Sequence, residues 1–309
     1  MISLQENIAL APYTTFKIGG PARWFACVRT AEELQEAFMW AKEKGIQTFL
    51  LGGGSNILVS DKGFSGLVIR LEQSDPKREE LSLIAFAGTT LGSVVDMARD
   101  YSLEGMQNLA GIPGLVGGAV RGNAGAFGVE VKDIIFSVKA LHPETLQEKV
   151  FSNEECHFSY RSSVFKEEGW IVTEATFKLR PGKKEVLAKT MEDIVAQRNE
   201  KHNQSALCAG SFFINPVVEN EDLRKEFEKE SNSICREKKV PAGWLIDKMG
   251  LRGKRIGDAM VSEMHPNYIV NAGEATAEDV VMLMSYIKQQ VRDGLGVQLT
   301  QEVQLVGFE

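Results

Sequence analysis

The chain lacks the marks of several large protein classes. None of its apolar runs approaches the ~20 residues that a membrane-spanning helix requires. Its opening, Met1-Ile2-Ser3-Leu4-Gln5-Glu6-Asn7, has no basic segment followed by an apolar one, so no secretory signal is expected. Only four cysteines occur among 309 residues. Cys27, Cys156, Cys208 and Cys235 are scattered, with no CxxC spacing, which argues against a disulfide framework or a zinc site and for reduced thiols in a cytoplasmic protein. There is no excess of positive charge: the net charge of -7 argues against a nucleic-acid backbone as partner. No GK[ST] occurs, so the phosphate loop of the common nucleotide hydrolases is absent, and no GxGxxG opens a helix after the first strand. The balance of 43% hydrophobic and 25% charged residues is that of a globular protein, in a chain long enough for two or three domains.

What is present is glycine in two clusters. Gly52-Gly53-Gly54-Ser55-Asn56 directly follows the apolar run Phe49-Leu50-Leu51 and leads into another, Ile57-Leu58-Val59. Gly111-Ile112-Pro113-Gly114-Leu115-Val116-Gly117-Gly118-Ala119 continues to Gly122-Asn123-Ala124-Gly125-Ala126. Clustered glycines let a backbone approach a ligand closely, and their bare N–H groups form concave anion sites. Two such loops point to a pyrophosphate-containing ligand held between them; the alternative is a pair of tight turns.

Around these loops the pattern alternates between strand and helix. Residues 23–28 read as a strand, Thr30 as the cap of a helix with Glu33 completing a capping box, and 47–51 as a second strand. Leu34, Ala37, Phe38 and Ala41 share one helical face. Residues 65–71 form a further strand, and the polar stretch 72–80 a boundary. Strands are expected at 83–87, 138–141 and 171–179, and helices at 91–101, 184–199 and 219–238, with further helices starting at Pro241 and, capped by Thr276, near residue 277. Residues 297–305 alternate with period two, placing Val297, Leu299, Val303 and Leu305 on one face and Glu302 on the other.

Taken in order, several blocks resemble the UDP-N-acetylenolpyruvoylglucosamine reductase family. They are Tyr13-Thr14-Thr15-Phe16-Lys17-Ile18-Gly19-Gly20-Pro21-Ala22, then 51–58, 110–128, Phe158-Ser159-Tyr160-Arg161-Ser162-Ser163, 209–216, 241–253, 257–271 and 297–307. The resemblance implies an α+β fold: a vanillyl-alcohol-oxidase-type FAD-binding unit of two subdomains, 1–75 and 76–200, plus a C-terminal α/β substrate-binding domain, 201–309, whose last strand returns Glu302 to the active site. It implies reduction of FAD by NADPH, then hydride transfer to the enolpyruvyl ether of a UDP-sugar, in peptidoglycan precursor synthesis. It further implies a monomeric cytoplasmic enzyme with small-molecule substrates and no nucleic-acid or membrane partner.

On the matching positions, Arg161, Ser211 and Glu302 are the catalytic candidates. A guanidinium clamps a carboxylate in a planar fork, an acidic group shares in stabilising an enol, and a hydroxyl delivers a proton to a carbanion. Taken singly, each also fits a surface arginine, a turn serine or a solvated strand carboxylate. Gly52, Gly53, Gly54, Ser55, Asn56, Gly111, Pro113, Gly114, Gly117, Gly118, Ala119 and Asn123 are expected to bind FAD, and Tyr160 and Asn215 the substrate. No histidine lies in either loop, so FAD is expected to be bound noncovalently; His157 and His265 read as packing residues. Leu115 and Ile214 depart from the family pattern, where Ser or Thr and Lys are frequent. The short spacing from Arg161 to Ser211 resembles the subclass without a substrate-clamping tyrosine. Two rival readings stand beside this one: another oxidase or dehydrogenase of the same flavin fold, and a non-catalytic nucleotide-binding module.

Overall fold

A computed structural model describes residues 2–201 and 206–308. The chain packs into two compact units, one of Met1–Ile8, Ala22–Gly53 and Ser65–Glu200, the other of Ala9–Pro21, Gly54–Phe64 and Lys201–Glu309.

In the first unit, Thr30 starts the helix Ala31–Lys44 by accepting from the Glu33 N–H at 3.2 Å. The box closes one residue further out than expected, because the Glu33 carboxylate accepts from the Arg29 N–H, at 2.6 Å. Gly45, at φ 63°, ends the helix. Its face of Leu34, Ala37, Phe38 and Ala41 is buried as the spacing predicts. The strands before and after it, Pro21–Val28 and Thr48–Leu51, are not neighbours. Phe64–Leu71 lies between them in a four-stranded sheet whose outer edge is Leu4–Ala9.

A second, antiparallel sheet has the order Glu148–Ser152, Ile135–Leu141, Ile171–Lys178, Ser82–Phe86 and Lys77–Glu79. The helix Leu91–Asp100 buries Leu91, Val94, Val95 and Ala98. Both sheets share one core, with Leu67 and Ile69 from the first and Leu83, Val138 and Phe177 from the second all inaccessible. Each such side chain contributes about 1.5–3 kcal/mol by leaving water.

The other unit has its own core, in which Phe16, Leu58, Phe212, Leu245 and Ile287 are fully buried. A three-stranded antiparallel sheet of Arg255–Ile256, Ala259–Val261 and Ile269–Asn271 packs on the helix Ala277–Leu295, which in turn packs on the helix Ala242–Lys248. Thr276 and Asp279 form the capping box of the last helix. The Asp61 carboxylate adds two acceptors there, for Ala277 N at 2.9 Å and Glu278 N at 3.2 Å.

Two expectations change here. The stretch 219–238 is helical only over Glu221–Ser231, because Asn232 turns into the left-handed region at φ 49°. The alternation over 297–305 correctly marks Val297, Leu299 and Val303 as buried, but only Gln304–Val306 is a strand, paired in parallel with Ile57–Val59. Gln301 makes a single bridge, to Phe213. The backbone there exchanges one partner for another, so no continuous ladder forms. No helix among the described residues is long and apolar enough to cross a membrane.

Candidate active site

The first glycine loop runs from the strand Thr48–Leu51 directly into the strand Ile57–Val59, with no helix after it. Gly54 has φ 64°, and a Cβ there would stand 2.2 Å from the Tyr13 carbonyl oxygen. Its lack of a side chain permits close packing against the Tyr13–Thr14 backbone. Gly52 and Gly53 face the second loop. A Cβ on Gly53 would lie 3.5 Å from Gly114 Cα, and one on Gly52 3.5 Å from Leu115 Cδ1. The two glycine clusters thus meet within the first unit. Leu115, the departure from the family pattern, covers Gly52 with apolar surface.

The second loop is fastened by its own backbone. Leu91 N donates to Gly114 O, Val116 N to Thr89 O, and Gly117 N to Ala87 O, at 2.9–3.0 Å. The helix Val116–Arg121 that follows buries Val116, Ala119 and Val120. A Cβ on Gly117 would lie 2.9 Å from Ala87 Cβ, so this glycine permits helix–strand contact. The Ala119 side chain faces the core as well. A Cβ on Gly118, by contrast, would meet nothing within 4 Å. The N–H groups of Gly53, Gly54, Ser55 and Asn56 donate to no acceptor among the described residues. Such a row of N–H donors suits an anionic group such as the pyrophosphate of FAD.

Asn123 was expected to touch the cofactor, but its side chain is fully buried and spent inside the protein. It donates to Ser159 O at 3.0 Å and Glu130 Oε2 at 3.2 Å, and accepts from Lys132 N at 3.0 Å. It is a positioning residue for the turn that carries Tyr160 and Arg161. In that turn Ser159 N donates to Ser162 O and Ser162 N to Ser159 O, and Arg161 sits at φ 58°. A non-glycine residue in the left-handed region is uncommon and is held there by its surroundings. The Arg161 guanidinium lies 5.6 Å from the centre of the Tyr160 ring. Both line an open cavity of about 400 Å³ together with Gly125, Gly128, Glu130 and Lys132. The 2.5 Å pair with Glu130 raises the Lys132 pKa above its ordinary value. Arg161 is thus at a cavity rather than on a featureless surface.

The segments that carry Ser211 and Glu302 pair in the second unit. Phe212 N donates to Asn267 O at 2.7 Å, Glu302 N to Phe212 O at 2.9 Å, and Ile214 N to Thr300 O at 3.0 Å, with Phe213 bridged antiparallel to Gln301. This register sets Phe212 opposite Glu302, so Ser211 is one residue from the position facing the carboxylate-bearing residue. Asn56 fixes the other side of Glu302: its Nδ2 donates to Glu302 O at 3.3 Å and its carbonyl accepts from Gln304 N at 3.0 Å. Asn215 Oδ1 accepts from Ala242 N at 3.0 Å, tying that segment to the start of the helix Ala242–Lys248.

Three further residues support these segments, of which Thr15 and Asn267 lie in the blocks of family resemblance and Lys288 lies outside them. Asn267, 4% exposed, holds Phe213 by both backbone groups, at 3.0 and 2.8 Å. The Thr15 hydroxyl donates to Cys208 O. Lys288 donates to the Gln301 side chain beside Glu302, and burial lowers its pKa. Their spacing along the chain follows no period, so their contacts show only in the folded chain.

The two glycine clusters and the α+β architecture agree with an FAD-containing oxidoreductase, and the comparisons with known proteins show that class. Residues 22–146 match the FAD binding domain family, and residues 200–306 match the family described as UDP-N-acetylenolpyruvoylglucosamine reductase, C-terminal domain. The UDP-N-acetylenolpyruvoylglucosamine reductase of Solibacter usitatus is 36% identical over 99% of this chain and 97% of its own length. That of Caldanaerobacter subterraneus is 37% identical over 98% and 94%. The crystal structure of UDP-N-acetylenolpyruvylglucosamine reductase from Thermus caldophilus is similar at a TM-score of 0.78, with 34% identity, over 99% of this chain and 100% of that one. The chain belongs to the UDP-N-acetylenolpyruvoylglucosamine reductase family.

Proposed function

We propose that this chain reduces the enolpyruvyl ether of UDP-N-acetylglucosamine to the lactyl ether of UDP-N-acetylmuramate, with NADPH as reductant and FAD as its bound cofactor, in a monomeric cytoplasmic enzyme. The reading is supported by the antiparallel register of 212–214 against 300–302, which runs the backbone that carries Ser211 alongside the backbone that carries Glu302. Bound FAD supplies the hydride chemistry, and the protein supplies geometry and electrostatics. Gly52, Gly53, Ser55 and Asn56 of the first loop, and Gly111, Pro113, Gly114 and Gly118 of the second, would hold it.

Hydride addition to the enolpyruvyl double bond leaves negative charge on the neighbouring carbon and its carboxylate. Arg161 clamps that carboxylate, its planar fork matching the two oxygens. Glu302 shares in stabilising the enol form. Ser211 delivers the proton that completes the lactyl ether, acting as a positioned general acid. Tyr160 packs beside the guanidinium. With Asn215 Oδ1 engaged by the Ala242 N–H, the Asn215 amide is the donor left for the substrate diphosphate. The test is NADPH oxidation by the purified flavoprotein, followed with and without the enolpyruvyl sugar nucleotide. Oxidation that depends on the sugar nucleotide and yields its lactyl ether supports the reading. A colourless protein, or oxidation indifferent to the sugar nucleotide, favours the rival binding module or another flavin enzyme.

A further inference from the structure

The segment Tyr13-Thr14-Thr15-Phe16-Lys17-Ile18-Gly19-Gly20 has no part in the chemistry described so far. It is firmly seated. Phe16 and Ile18 are 0% and 3% exposed, and the buried Thr14 hydroxyl stays within its own turn, 3.2 Å from Ala11 O and Ile18 O. Thr15 reaches outward from it in two directions. Its N–H donates to Gly54 O at 3.1 Å, and its Oγ1 lies 2.6 Å from Cys208 O and 3.2 Å from Gly54 O. A hydroxyl has one proton to give. Gly54 O is already served by the N–H, so the hydroxyl proton goes to the nearer Cys208 O.

Thr15 therefore joins two segments that are remote in sequence: the first glycine loop by its backbone, and the approach to Ser211 by its side chain. The approach is otherwise constrained. Cys208 and Ala209 are buried, and Gly210 makes a left-handed turn at φ 76° immediately before Ser211. Beyond Ser211, Asn267 and Glu302 hold Phe212 and Phe213. The Thr15–Cys208 bond is the corresponding tie on the N-terminal side.

We propose that Thr15 is a positioning residue for the reduction: its hydroxyl fixes the 208–211 segment against the first glycine loop and so holds the Ser211 hydroxyl where the proton is delivered. The proposal rests on the assignment of Ser211 as proton donor. Thr15→Val removes the hydroxyl with little change of shape and leaves the backbone tie to Gly54. It should retain wild-type flavin content and a normal rate of flavin reduction by NADPH. The transfer to the enolpyruvyl substrate should fall about tenfold in kcat, the scale of one lost hydrogen bond, with KM little changed. Thr15→Ser should recover most of that loss. In a Ser211→Ala background, Thr15→Val should cost almost nothing further, since the group it positions is gone. Amide exchange over 208–213 should be faster in Thr15→Val than in wild type or Thr15→Ser. If Thr15→Val does not accumulate as folded protein, Thr15→Ser against Thr15→Ala isolates the hydroxyl in the same way.

An additive loss in the Ser211→Ala background, an equal loss in the NADPH step, or a wild-type transfer rate would overturn the proposal. If Ser211→Ala is itself harmless to transfer, the assignment of Ser211 and the role of Thr15 fall together. If Ser211→Ala is slow and Thr15→Val is not, the role of Thr15 alone falls.

Discussion

Substitutions at the adjacent glycines 117 and 118 separate cofactor binding from folding, because their missing side chains would meet different surroundings. A Cβ on Gly118 enters open space, while one on Gly117 lies 2.9 Å from Ala87 Cβ and 3.3 Å from Ala87 O. Gly118→Ala in a helix should stabilise the flavin-free protein by up to about 1 kcal/mol, from reduced backbone freedom in the unfolded chain. That corresponds to a rise of about 2 °C in Tm. Gly117→Ala forces the helix Val116–Arg121 away from Ala87, an overpacking cost of about 1–3 kcal/mol, and should lower Tm by about 2–6 °C. Flavin affinity should behave differently. Gly118→Val fills space that no protein atom occupies within 4 Å and should weaken FAD binding at least about tenfold without loss of fold, since binding differences of 1.4 kcal/mol are tenfold. The assays are thermal denaturation of the flavin-free protein and titration with FAD followed by flavin fluorescence. Wild-type FAD affinity in Gly118→Val would remove Gly118 from the cofactor cradle. An unchanged Tm in Gly117→Ala would refute the packing argument.

Arg161→Lys keeps the charge and loses the fork, and should slow transfer to the enolpyruvyl group by more than about tenfold while NADPH still reduces the flavin; Glu302→Gln should act on the same half-reaction, as rapid mixing of the prereduced variants with substrate would show. Acid precipitation should release all the flavin into the supernatant, and colour retained in the pellet would contradict noncovalent binding. Asn123→Ala leaves Ser159 O and Lys132 N without their buried partner and should destabilise the protein by about 1–3 kcal/mol, with the enolpyruvyl step impaired more than the NADPH step because the Tyr160–Arg161 turn loosens.

The glycine clusters were legible because composition alone marks them, and the ordered blocks around them carried the family. The reason for individual glycines was not legible. Gly54 lies against Tyr13 and Gly117 against Ala87, contacts between segments whose proximity no local pattern encodes. Periodicity identified the buried face of the helix Ala31–Lys44 and the buried residues of 297–305, since both reflect a side chain's direction relative to a core. It could not tell whether 297–305 was hydrogen-bonded as a strand, which depends on partners elsewhere. The charged run 219–238 kept helical composition past the point where Asn232 reverses the backbone. Asn123 read as a loop residue facing a ligand because short polar residues near glycines suit both ligands and turns; its three internal hydrogen bonds decide for the turn.

The proposed role of Ser211 as proton donor is tested most directly by Ser211→Ala, studied one half-reaction at a time. The substitution removes the hydroxyl and little volume. Stopped-flow absorbance should show NADPH reducing the variant's flavin at a near-normal rate. Reoxidation of that flavin by the enolpyruvyl sugar nucleotide should be about 10²–10⁴-fold slower, the usual cost of a lost positioned acid, with partial recovery in Ser211→Cys. A variant slowed only in the NADPH step, or in neither step, would contradict the account and place the proton donor elsewhere.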